Sequence, residues 1–224
     1  MPGIVLTDAD LENARSLYNG QLVSPLTDEG MFSAAIYCLL SVAERYDKHT
    51  AVYESLVHNG LDQPREIINR PEDLRAIVRV TRFPNQKEDR IKRLARWWTG
   101  DGKSFPRDVI YDASNGRSRE FELRNTMAEE APGIAYKAAS LFMSQCGYEN
   151  VVPVDIWMIR ALRDLGHDVV VPDYKRNSGP LKKEYLRLEK ILSEIATDDY
   201  GLSPTIFQSA LWAKYSAWNT KNRL

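Results

Sequence analysis

The chain has 224 residues, 43% hydrophobic and 27% charged, with 30 basic residues against 31 acidic ones. Such a chain buries its own core as an ordinary soluble globular protein, and its overall charge does not announce nucleic acid. Only Cys38 and Cys146 are present, neither in a CxxC spacing, which excludes a disulfide scaffold and points to idle thiols in a reducing compartment. No apolar run approaches the roughly 20 residues that span a bilayer, and no secretory signal opens the chain. The expectation is a protein without membrane contact, in the cytoplasm or, in a nucleated cell, the nucleus.

Taken in order, Thr7 caps a helix over Asp8–Tyr18, and Thr27 opens a run through Met31, Phe32, Ile36, Leu39, Leu40 and Val42 that is apolar nearly all round and therefore central. Helices follow over Thr50–His58, Pro71–Val80 with proline in the first turn, and Gln86–Trp98 closed by Gly100. Asp101–Pro106 reads as a loop. Basic residues crowd the middle of the chain at Lys87, Arg90, Lys92, Arg93, Arg96, Lys103, Arg107, Arg117, Arg119 and Arg124, with acids interleaved, the pattern of a solvated helix face or a nucleic-acid footprint. Arg117–Glu130 and Tyr136–Gln145 form a helix pair with a very short connection. After an extended stretch at Val151–Val154 comes a helix over Asp155–Leu165. Asp168–Pro172 is too short and isolated for a sheet, and Lys175–Pro180 is a polar linker. A periodic helix then carries Leu181, Tyr185, Leu188, Leu192 and Ile195, and Ser203 and Pro204 start a last one bearing Trp212, Tyr215 and Trp218. Without repeats or alternating strands, the fold class is all-α, a single two-lobed helical unit.

The connection Ala131-Pro132-Gly133-Ile134-Ala135-Tyr136-Lys137 has the parts of a phosphate-gripping hairpin. Proline stops one helix and Gly133 can take positive φ. The next helix presents unpaired N–H groups and a favourable dipole to an anion, a grip that reads no base sequence.

Pro132-Gly133-Ile134, Lys137 and then Val154-Asp155, with Arg160 beyond, resemble the helix-hairpin-helix DNA glycosylases, whose motif is a proline-glycine hairpin, a lysine and a later Val-Asp at a helix start. Lysine and aspartate stand 18 residues apart here, as in the family's bifunctional members. The resemblance implies that Lys137 is the amine nucleophile at the sugar C1′ and that Asp155 stabilises the cationic sugar and assists proton transfer. It also implies that Pro132, Gly133, Ile134, Ala135 and Arg160 contact damaged double-stranded DNA. The chemistry is coherent in itself: an amine attacks only when neutral, and a carboxylate stabilises charge present only in the transition state. Alone, Asp155 would be an ordinary N-cap and Lys137 a surface lysine. Ala135 replaces the family's second glycine, so a left-handed alanine costing about 1 kcal/mol is expected there, and Ala131 replaces the usual leucine.

Gln208 and Trp212, four apart on the last helix, resemble the glutamine and aromatic pair that reads the base in 8-oxoguanine glycosylases, and Arg82-Phe83-Pro84-Asn85-Gln86-Lys87 is similar to a segment of their small archaeal and bacterial branch. No cysteine follows Cys146, which excludes the iron–sulfur cluster many relatives carry. The mechanism needs no cofactor, and a monovalent cation on the hairpin carbonyls would fit the family. His49, His58 and His167 are too scattered for a transition-metal site. The expected protein is a monomeric glycosylase/AP lyase for 8-oxoguanine. Two alternatives stand beside it: a glycosylase for another damaged base and a noncatalytic helix-hairpin-helix scaffold.

Overall fold

The computed structural model describes residues 4–19, 27–100, 117–170 and 180–221. Among these, every regular element is helical: α1 (Asp8–Asn19), α2 (Asp28–Leu40), α3 (Tyr46–His58), α4 (Pro64–Asn69), α5 (Pro71–Val78), α6 (Pro84–Thr99), α7 (Arg117–Glu130), α8 (Tyr136–Gln145), α9 (Ile156–Asp164), α10 (Lys182–Glu194), a π-helical turn at Ile195–Asp199, and α11 (Pro204–Lys221). The expected all-α class is what the chain adopts. The Asp101–Pro106 segment, most of Lys175–Pro180, Lys103 and Arg107 lie outside the described residues, as do the side chains of Arg117 and Trp218. The chain divides into two compact units, residues 23–146 and a second built from residues 1–22 with 147–224.

The unit of residues 23–146 is organised on α2. The Thr27 hydroxyl accepts from Gly30 N–H at 3.0 Å and starts the helix. Met31, Phe32, Ala35, Ile36, Cys38, Leu39 and Leu40 are all fully buried, so burial on every side rather than amphipathic patterning makes α2 central. It packs on α3, α6 and α8, and Phe32 meets Trp98 of α6 edge-on at 5.3 Å. The helix stops at Leu40, short of Val42, because Ser41 turns the chain and Ala43 follows in the left-handed region (φ 55°). Two boundaries move for local reasons. α3 begins at Tyr46 rather than Thr50, since Tyr46 stacks edge-on against the buried His49 and extends the first turn. α6 begins at Pro84, not Gln86, with proline at its first position. α4, six residues long, carries too little periodicity to be legible in advance.

The second unit joins the two ends of the chain. α1 is capped as expected, with Thr7 N–H donating to Asp10 and Asp10 N–H to Thr7 Oγ1 at 3.2 Å, and it lies along α11. Lys214 Nζ donates to Val5 O at 2.7 Å and pairs with Asp10 at 3.2 Å, while Tyr200 donates to Ile4 O. Tyr185, Leu188 and Leu192 of α10 and Phe207 and Leu211 of α11 form its core with Met158 and Leu162 of α9.

Candidate active site

Local geometry explains why Ala131-Pro132-Gly133-Ile134 makes the hairpin. Ile134 N–H donates to Ala131 O at 3.2 Å across a four-residue turn with proline second and Gly133 third at φ 81°, the arrangement of a type II turn. A Cβ on Gly133 would lie 2.7 Å from Arg90 Cγ and 2.8 Å from Arg90 Cβ, because the stem of that α6 arginine crosses the turn. Glycine is thus required twice, by φ and by close approach. Ala131 and Ile134 bury their side chains beneath it. Ala135 departs from expectation: it is the N-cap of α8 in extended conformation (φ −103°, ψ 176°) and carries no left-handed strain. It supplies no side-chain cap, so the first N–H groups of α8 have no such partner there.

Beneath the hairpin, α7 and α8 are joined by polar contacts that the sequence does not advertise. Arg124, expected on a solvated face or in a nucleic-acid footprint, is fully buried. It donates to Ser140 Oγ at 2.8 Å and lies 5.2 Å from the Tyr136 ring centroid. Tyr136 donates to Glu129 at 2.8 Å.

Lys137 is the second residue of α8. Its Nζ donates to Ser41 Oγ at 2.8 Å, and Ser41 in turn donates to Cys38 O at 2.7 Å, so the turn that ends α2 receives the amine. Burial pushes the Cys38 thiol up to about 12 against the pull of the Lys137 charge, leaving a neutral thiol. His49 lies in the same core with Nδ1 3.1 Å from Arg45 O and its ring 4.9 Å from that of Tyr37. Burial first, then the charges of Lys137 and Lys87, pushes this imidazole down to about 4. Its Nε2 is buried without a hydrogen-bond partner among the described residues. Among the described residues no group of acids, histidines and cysteines could hold a metal ion.

Lys87 is also not on a solvated face. Its ammonium pairs with Glu44 at 3.3 Å, the two side chains being only 3% and 2% exposed. Glu44 Oε2 also accepts from Arg82 N–H at 2.5 Å. Burial works against the Glu44 charge, but the Arg82 N–H and Lys87 together hold its carboxyl below the usual range. Directly after Arg82, Phe83 caps α6 in the left-handed region (φ 55°, ψ 50°) and is 57% exposed. Phe83 and Ala43 are the two non-glycine residues with positive φ among those described.

Asp155 belongs to the other unit, so the two residues of the motif are carried by different units. It is the N-cap of α9, its Oδ1 accepting from Trp157 N–H at 2.8 Å and Met158 N–H at 3.2 Å. The segment before it is pinned by side chains from later in the chain. Glu189 accepts from Val152 N–H at 3.0 Å; Tyr185 donates to Val152 O at 2.7 Å and accepts from Val154 N–H at 3.2 Å; Thr205 Oγ1 donates to Val151 O at 3.0 Å. Of these three residues only Tyr185 was legible, as part of the core periodicity; Glu189 and Thr205 carry no local signal. Arg160 stacks 4.7 Å from the centroid of the Trp157 ring and belongs to this unit, not the hairpin's. Gln208 is buried, its side chain making no hydrogen bond to the described residues, and Trp212 is half-buried one turn later on α11.

Residues 18–199 match the profile of the family described as Ogg-HhH, 8-oxoguanine DNA glycosylase. Over 96 residues the chain is 35% identical to an 8-oxoguanine DNA glycosylase/AP lyase of Thermotoga petrophila, covering 43% of this chain and 41% of the relative, so the match spans about two fifths of that relative's length. A protein of the same description from Methanocaldococcus jannaschii is 25% identical over 173 residues, 77% of this chain and 74% of the relative. Among solved structures, the M. jannaschii 8-oxoguanine glycosylase/lyase in complex with a 15mer DNA containing 8-oxoguanine superposes with a TM-score of 0.70 at 19% identity, covering 94% of this chain and 90% of that one. The 8-oxoguanine DNA glycosylase of Thermotoga maritima gives 0.65 at 23% identity over 92% and 87%.

Proposed function

Because the chain belongs to the 8-oxoguanine DNA glycosylase family, we propose that it is a bifunctional DNA glycosylase/AP lyase that removes 8-oxoguanine from duplex DNA. The observation that carries this reading is Lys137 at the start of the helix that follows the hairpin, its amine held by Ser41. The hairpin N–H groups and the α8 N-terminus take a DNA phosphate. Arg90, whose stem lies on Gly133 and whose guanidinium has no partner among the described residues, adds a cation beside them. Phe83 lies seven residues before Arg90, roughly 10 Å along the same helix. An exposed aromatic fixed in a strained conformation is suited to enter the base stack where a nucleotide is extruded.

In the reaction, the Lys137 lone pair forms a bond to C1′ while the bond from C1′ to the base nitrogen breaks, its electron pair leaving with the base, which takes up a proton. Asp155 stabilises the cationic sugar and moves protons. Loss of the amine proton with ring opening gives the Schiff base, and removal of a 2′ proton then expels the 3′ phosphate. Nothing in this sequence of steps requires a cofactor. A monovalent cation on the hairpin carbonyls would steady the phosphate grip. Gln208 and Trp212 read the edge and face of the base, and Arg160 holds the strand. The protein acts as a monomer wherever genomic DNA lies, the nucleoid or a nucleus.

Borohydride trapping on a labelled 8-oxoguanine duplex, beside abasic and undamaged duplexes and the Lys137→Gln variant, tests the reading. An adduct with 8-oxoguanine that vanishes in the variant supports it. An adduct on the abasic duplex alone would keep the lyase and discard the base, and none on any duplex would leave a noncatalytic binder.

A further inference from the structure

The buried carboxylate of Glu44 sits where three unusual features meet. Ala43, immediately before it, and Phe83, one residue past its backbone partner Arg82, are both held at φ 55°. Three residues earlier on the same turn is Ser41, the acceptor for the Lys137 amine. Strained non-glycine backbone persists only where surrounding contacts over-determine it, and here those contacts converge on one side chain. Glu44 takes the Arg82 N–H and the Lys87 ammonium, and Lys87 is anchored in the first turn of α6, its N–H donating to Phe83 O at 3.0 Å. The exposed Phe83 is thereby held from both flanks by a group that never reaches the surface.

We propose that Glu44 is a positioning residue that fixes the Arg82-Phe83 loop in the shape needed to open the base stack, through its hydrogen bond to Arg82 N–H. This rests on the glycosylase reading. Burying a carboxylate and an ammonium together is costly, and removing one partner leaves the other orphaned, so the retention of the pair at this loop calls for a role other than packing. The acceptor for Arg82 is the specific element; Lys87 neutralises it.

Two double variants isolate that element. Glu44→Ala with Lys87→Met removes the acceptor without orphaning a buried charge, and Glu44→Gln with Lys87→Met keeps an acceptor oxygen at the same reach. With thermal melting as the check that both fold, the alanine pair should lose about tenfold or more in the rate of 8-oxoguanine release, the scale of one strong hydrogen bond. Trapping on a preformed abasic duplex, whose missing base leaves less of the stack to open, should fall far less. The glutamine pair should recover most of the loss. Adding Phe83→Ala to the alanine pair should cost no more than Phe83→Ala alone. Without any DNA, amide hydrogen exchange at Arg82 should speed in the alanine pair and not in the glutamine pair. Equal losses on both duplexes, equal behaviour of the two pairs, additivity with Phe83→Ala, or an Arg82 amide equally protected in both pairs would each overturn the proposal. A wild-type protein inactive on every duplex would reject the glycosylase reading instead, and the exchange experiment would still decide whether Glu44 holds the loop.

Discussion

Replacing Gly133 by alanine separates two reasons for a glycine, because Gly60 supplies a built-in control. Both have positive φ, 81° and 68°, but a Cβ on Gly60 meets nothing within 4 Å, whereas on Gly133 it meets Arg90 Cγ at 2.7 Å and Cβ at 2.8 Å. Gly60→Ala therefore bears the left-handed conformation alone, a net cost of about 1 kcal/mol after the stiffer unfolded chain is counted. Gly133→Ala adds the displacement of a stem whose nearest atoms are its own Cβ and Cγ rather than a flexible tip. Overpacking of that kind adds about 1–3 kcal/mol. For a chain of this size, the melting temperature should fall by roughly 2–4 °C for Gly60→Ala and by roughly 4–16 °C for Gly133→Ala. Arg90→Ala should not rescue Gly133→Ala, since the Arg90 Cβ remains. Calorimetry on the four proteins reads all of this. A Gly133→Ala melting point no lower than that of Gly60→Ala would refute the close-approach argument, and a rescue by Arg90→Ala would show that the long stem, not its root, is the obstacle.

Lys137→Gln should leave melting nearly unchanged and abolish the trapped adduct. Asp155→Asn keeps a good N-cap and should shift stability by a few tenths of a kcal/mol, measured by urea titration, while base release falls at least about a hundredfold; Asp155→Ala should also lose the cap, about 1 kcal/mol. His49 is held neutral in the fold, with its ordinary value of 6.5 pushed down to about 4. Between those values the unfolded chain binds the extra proton, so stability rises with pH across the window and is lost as pH falls from about 6.5 to 4, by at most about 3 kcal/mol. Urea midpoints from pH 7 to pH 5 should decline in the wild type and stay flatter in His49→Gln; parallel slopes would assign the loss to other groups.

What could be read in advance was what local chemistry encodes. Thr7, Thr27, Pro71 and Asp155 announce helix starts through their own side chains, and α7 and α8 lie where periodicity put them. The hairpin and its lysine were legible for the same reason, since turn, glycine and amine are close in sequence. What escaped depends on distant partners. Ser41 meets Lys137 across 96 positions and Glu44 meets Lys87 across 43, so neither side chain looks special alone. Arg124 and Lys87 read as part of a solvated face or a nucleic-acid footprint because charge in a helix usually meets water; their partners, Ser140 and Glu44, take them into the interior instead. The expected strain at Ala135 was assigned to the wrong residue. The turn concentrates its left-handed conformation at Gly133, and the nearby non-glycine strain falls on Ala43 and Phe83, where tertiary contacts impose it.

The way α1 and α11 close the second unit sets an order of events during synthesis. Residues 23–146 are contiguous, and their unit can condense as soon as they leave the ribosome. Its companion needs α1, which precedes that unit in the sequence, to wait for α11, which follows it. The nascent chain thus acquires its amine in a finished environment well before the surroundings of Asp155 are complete. A product truncated before α11 would hold Lys137 in its folded surroundings and Asp155 in a unit that lacks one of its closing helices.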